Sequence, residues 1–122
     1  MAKEYDLEDR LVKLAGNTIR YCSYLPNDFA SDHLRKQLIR SITGACLNYG
    51  EAQGAESGRD FIHKMGIILK ELKESRTTLK ILEEIEVEKI SNRNSVQDEC
   101  GQLVAIFASI ILKTRKGLDG NK

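Results

Sequence analysis

Phe61, Met65, Ile68, Leu72, Ser75, Leu79 and Leu82 follow one another at alternating intervals of four and three residues. That spacing keeps the side chains on one face of an α-helix; a strand, which repeats every second residue, would scatter them over both faces. The pattern is a heptad seam interrupted by a single small serine. It commits this segment to a helix whose apolar face must be buried against other helices.

Three further segments carry companion stripes. The first is Leu7, Leu11, Leu14, Thr18, Cys22 and Leu25. Pro26–Asn27–Asp28 ends it, because proline removes a donor and disfavours helix in the residue before it. The second is Leu34, Leu38, Ile42, Ala45, Tyr49 and Ala52, with Asp28 or Ser31 as its cap. Gly50, Gly54 and Gly58 cluster at its far end, where a left-handed cap is expected. Ser57 and Asp60 resemble a capping box for the heptad helix. The fourth is Val96, Cys100, Leu103, Phe107, Ile110 and Thr114, widened by Val104, Ala108 and Ile111. Lys113, Arg115, Lys116 and Gly117 signal its end. The expected helices cover about 6–25, 29–53, 58–84 and 89–116, with Leu118 to Lys122 as a frayed tail. Helices of this size are about 30 Å long, and short connections make neighbours antiparallel. The expected fold is all-α: one domain over 1–122, an up-down-up-down four-helix bundle.

Charge limits the functions open to such a bundle. Nineteen basic and 18 acidic residues leave a net charge of +1, and the two signs balance segment by segment, so no basic arm exists. Binding to RNA is confined to small patches that assembly would multiply. The longest apolar run, Leu103 to Leu112, is about half a membrane span. The start, Met1 to Asp6, lacks the apolar core of a signal peptide. A cytoplasmic protein is expected. Cys22, Cys46 and Cys100 form no CxxC pair and fall on apolar faces, so they read as buried, reduced core residues.

The residues that could carry chemistry do not fall into a catalytic or ligand-binding pattern. Asp60-x-x-His63 is half of a di-iron motif, but His33 has Ala30 where the second carboxylate belongs. The series Gly50, Gly54, Gly58 lacks the Gly-Lys-Ser/Thr ending of a phosphate loop. The acidic run Glu83 to Glu88 has no calcium-loop spacing and reads as a solvated turn. No catalytic residue, cofactor, metal or small-molecule substrate is indicated, and the chain is not expected to be an enzyme. Two polar features remain. Beside its apolar stripe the second helix carries Gln37, Ser41, Gly44, Asn48 and Glu51, with Arg40 adjacent; the third carries Asp60, Lys64, Ile67, Glu71, Glu74 and Thr78. These are either solvated faces or an oligomer interface or buried polar network. Ser41 and Gly44 favour the latter, because a glycine on a plain surface costs ~1 kcal/mol against alanine. Candidate nucleic-acid contacts are Arg35, Lys36, Lys70, Lys73, Arg76, Lys80, Lys113, Arg115 and Lys116.

The stretches Lys36–Gly44, Asn48–Ser57, Asp60–Lys64, Lys70–Leu79 and Ser109–Thr114 resemble the signature blocks of the bacterial four-helix-bundle family, also called the 23S ribosomal RNA intervening-sequence proteins. The likeness spans roughly residues 6 to 117. It departs at Leu47, where members often have small residues, at Thr77–Thr78, which replace a Tyr-Trp pair, and at Gly44, often serine. The resemblance implies an antiparallel bundle and a ring-like homo-oligomer, a pentamer in some members. It also implies a link to ribosomal RNA insertions, or to accessory proteins that bind nucleic acid. It carries over no catalytic residue, so Gln37, Arg40, Asn48, Glu51, Asp60 and Glu74 stand as structural or interface candidates. Two functions follow as expectations: binding of RNA or a ribonucleoprotein, or a protein-interaction scaffold without nucleic acid.

Overall fold

Each of the four stripes becomes one helix. The computed structural model describes residues 6–86 and 89–120. Its helices are α1 (Leu7–Cys22), α2 (Phe29–Gln53), α3 (Gly58–Ile85) and α4 (Arg93–Gly120), with no strand among the described residues. The caps are those the sequence indicates. Asp28 accepts from the Ser31 amide at 2.8 Å. Ser57 accepts from the Asp60 amide at 3.0 Å, and Asp60 reaches back to the Glu56 amide at 3.2 Å. Both satisfy first-turn donors that have no partner within the helix.

The ends differ from expectation in three places. First, α1 stops at Cys22, not Leu25. Residues 23–25 form a tight turn before Pro26, in which Tyr24 and Leu25 donate to the carbonyls of Tyr21 and Cys22. Leu25 still reaches the core. Arg35 of α2 covers this turn, donating to the carbonyls of Cys22, Leu25 and Pro26 at 3.1–3.2 Å.

Second, α4 begins at Arg93, not near residue 89. Arg93 is only 5% exposed. It pairs with Glu86 and Gln97 and lies 3.5 Å from Glu83. Glu86 also accepts from the Ile90 amide at 3.1 Å. This polar knot fixes the corner before the helix starts, so the acidic run is not merely a solvated turn; its Val87 and Glu88 lie outside the described residues.

Third, α4 continues through Gly117 to Gly120. Leu118 packs so closely on Gly58 that a Cβ there would stand 2.8 Å from its Cδ2. That contact holds the last turns against α3, where a frayed tail is the expectation from sequence; Asn121 and Lys122 lie outside the described residues. The glycine cluster makes no left-handed cap either. Gly54 ends α2 at φ −96°, and no described residue has a positive φ.

Cross-helix contacts set the topology. Cys46 of α2 meets the Leu11 carbonyl of α1, while Arg35 meets Cys22. Ser41 meets Ser75, and Gly44 meets Glu71. Cys100 of α4 donates to the Leu72 carbonyl, and Gln97 meets Glu83. In each pair one partner's number rises as the other's falls, so consecutive helices are antiparallel. Arg10 closes the ring with two 2.8 Å bonds to Glu99 of α4. The interior is the union of the stripes, including Leu11, Leu38, Met65, Ile68, Leu72, Leu79, Leu103 and Phe107. Tyr49 and Phe107 meet edge-to-face within it, ring centroids 5.8 Å apart, a geometry that suits the aromatic quadrupole. Tyr21, absent from the expected stripe, is fully buried; Phe61 and Ile110 are half-buried, and Ala108 is exposed. By length and composition alone α4 could cross a bilayer, yet its face of Val96, Cys100, Leu103, Val104, Phe107 and Ile111 is committed to the core.

Removing one member of a buried ion pair leaves the other charge uncompensated, a loss of about 3–5 kcal/mol. Arg93→Ala should therefore lower unfolding stability by about that amount in a urea titration. Arg20→Ala, on the exposed side of α1, should change it by less than about 0.5 kcal/mol. Equal effects would show that the corner is not held by Arg93.

Candidate functional site

The polar seam of α2 faces α3 of the same chain. Ser41 and Ser75 are both buried, with hydroxyl oxygens 2.6 Å apart. Ser75 can donate to the Glu71 carbonyl at 2.9 Å, or Ser41 to the Leu38 carbonyl at 3.2 Å. Gly44 lies under the Glu71 carboxylate; a Cβ at this position would sit 2.8 Å from Glu71 Oε2. The small residues expected to admit another helix thus admit α3, and this part of the stripe is an internal joint, not a free interface. Asn48 and Thr78 bond back to the carbonyls of Gly44 and Glu74, and Asp60 serves the α3 cap and an ion pair with Lys64 at 3.4 Å. Glu51 is exposed.

Alongside Ser41 the two helices border an open groove of about 740 Å³. Its apolar floor includes Leu34, Leu69 and Ile81. Its rim includes Arg40, Lys70 and Lys73, with His33, Gln37, Thr77 and Thr78 between. Arg40 donates to Gln37 at 3.0 Å and lies 3.9 Å from Glu74, the one acidic residue in the lining. The neighbouring Glu71 is pushed above the ordinary carboxylate range, first by burial and then by its hydrogen bond and charge repulsion with Glu74; Arg40 and Lys70 oppose the shift.

The candidate basic residues do not converge. Arg35 is spent on the α1–α2 turn and is no free contact. Arg76 lies near Cys100 of α4 with its Nε buried, apart from the other α3 cations. Lys36, Lys70, Lys73 and Lys80 are exposed. Lys113, Arg115 and Lys116 are exposed near the far end of α4, where Arg115 joins Arg59, Ile62, Leu118 and Asp119 around a smaller hollow of about 450 Å³. His63 is exposed. No cluster of three metal-ligating side chains occurs among the described residues. Cys22 and Cys100 are buried and their thiols pushed up by burial, to about 11 and about 12; Cys46 is only half-buried.

His33, Leu34, Leu69 and Ile81 belong to the groove but not to the candidates read from sequence. Their helical spacing, His33 with Gln37 and Arg40, and Leu69 with Lys73, Thr77 and Ile81, was the available signal.

Comparison with known proteins places the molecule. The family model described as 23S rRNA-intervening sequence protein matches residues 3–109. A crystal structure from Bacteroides thetaiotaomicron VPI-5482, described as a protein of unknown function from the S23 ribosomal protein family, is similar at 29% identity with a TM-score of 0.75. The match covers 85% of this chain and 96% of that one. No curated protein matches significantly.

Glu71 gives a pH test. A group whose folded pKa is raised stabilises the fold when protonated; that contribution is complete below its unfolded pKa, near 4.5, and is lost as pH rises through the folded value. Glu71→Gln mimics the protonated form. It should raise the urea midpoint at pH 7, and its advantage should close as pH falls to about 4. A variant less stable than the parent at pH 7 would contradict this account.

Proposed function

Because the chain belongs to the 23S rRNA-intervening sequence protein family, we propose that it is a non-enzymatic bundle that assembles into a ring-like homo-oligomer in the cytoplasm, with five copies as the state the family resemblance implies. It binds RNA, free or within a ribonucleoprotein, through basic patches that assembly multiplies. The family's description ties its members to ribosomal RNA. The observation in this chain that carries the reading is the set of solvent-facing cations Lys36, Arg40, Lys70, Lys73 and Lys80 along α2 and α3.

One such patch is weak. Repeated around a ring, it presents the phosphate backbone with an array of cations, each contact releasing counterions. A second reading, a protein-interaction scaffold, is favoured by one feature: the groove floor is apolar, and phosphates gain nothing from apolar surface.

Light scattering should give several times the chain mass of 13.8 kDa. Fluorescence anisotropy with a structured RNA should show affinity falling linearly on a log-log plot against salt. The pair Lys70→Glu and Lys73→Glu should flatten that slope by about 1–2. A monomer at micromolar concentration would remove the assembly reading, and absence of binding at low salt the RNA reading.

A further inference from the structure

We propose that the α2–α3 groove is a docking site for an acidic amphipathic helix of a partner protein. The inference goes beyond RNA binding: it assigns the groove floor, which phosphates cannot use.

Shape comes first. Two antiparallel helices leave a valley into which a third can lay a ridge of side chains. The lining runs along α3 from Gly66 to Ile81, about 22 Å at 1.5 Å per residue, enough for four helical turns. At Gly66 nothing lies within 4 Å of where a Cβ would be, so a docked backbone can approach there without displacing anything.

The apolar surface is next. Leu34 and Leu69 are half-buried, and Ile81 is 44% exposed. Branched side chains left open along one valley cost free energy that an apolar ridge recovers.

Charge selects the occupant. Arg40, Lys70 and Lys73 flank the floor against one carboxylate, Glu74, which lies beside Arg40. A helix with a Leu/Ile stripe bordered by Glu and Asp satisfies both floor and rim, the helix-in-groove mode read through anchors at i, i+3, i+4 and i+7. A single-stranded nucleic acid fits less well, since the groove lining offers no Phe, Tyr or Trp for bases to stack on and its one ring is the His33 imidazole.

The test uses the full chain in its native assembly and three labelled probes: an 18-residue Leu/Glu amphipathic helix, the same stripe with Lys for Glu, and a single-stranded RNA of matching charge. Anisotropy should show the acidic helix bound at least tenfold more tightly than the basic one. Ile81→Gln should weaken the acidic helix several-fold and leave RNA unchanged. Gly66→Gln, whose Cβ meets nothing within 4 Å, should block the helix while preserving the circular dichroism spectrum and the oligomer mass. Lys36→Glu with Lys80→Glu, outside the groove lining, should weaken RNA alone, so this proposal and the RNA reading can fail separately. The docking proposal is overturned if the acidic helix does not bind or the basic helix binds as well. It is equally overturned if Gly66→Gln and Ile81→Gln leave helix affinity intact, or if they dissociate the oligomer, which would make the groove a contact between copies.

Discussion

The close approach of α2 and α3 is the contact from which the rest of the bundle takes its register. At its centre Ser41 and Ser75 share a 2.6 Å hydrogen bond inside the interface, and Gly44 leaves room for the Glu71 side chain. Large side chains at these positions would push the helices apart along the seam. The serines can be buried because each hydroxyl finds an oxygen partner; a buried hydroxyl without one costs about 1–3 kcal/mol. With α2 and α3 fixed, Leu72 and Cys100 set α4 against α3, and Leu11 and Cys46 set α1 against α2.

The same seam makes the groove. Where the facing residues are Ser and Gly the helices touch, and beside that contact Leu34, Leu69 and Ile81 line the open groove. The polar stripe and the groove are therefore one feature seen at two depths. Its inner residues hold the fold, while its outer residues, Gln37, Arg40, Lys70 and Lys73, remain available to a ligand. The ends of the bundle use charge differently: Arg93 and Arg35 are consumed in closing corners, and sequence charge alone does not separate such cations from free ones.

Much of this is legible in the chain. The stripe Met65, Ile68, Leu72, Ser75, Leu79, Leu82 is buried throughout, because helical periodicity is a local property. The caps Asp28 and Ser57 act as read, since capping depends on residues three apart. The helix ends at Cys22, Arg93 and Gly120 were not legible, because each is set by a partner distant in sequence or by the turn itself: Pro26 and Arg35, Glu86, and Gly58.

Sequence by itself determined four helices, their apolar faces, two of their caps and the near-neutral charge of each segment, all consequences of spacing within one turn or two. Only the tertiary structure decided what the polar residues do. Arg35, Arg40, Arg76 and Arg93 look alike along the chain. Arg35 covers a turn, Arg93 locks a corner, Arg76 points towards α4, and Arg40 alone lines a groove. A long charged side chain can satisfy itself in many ways, and which one it takes depends on the carbonyl, carboxylate or solvent that packing places within its reach.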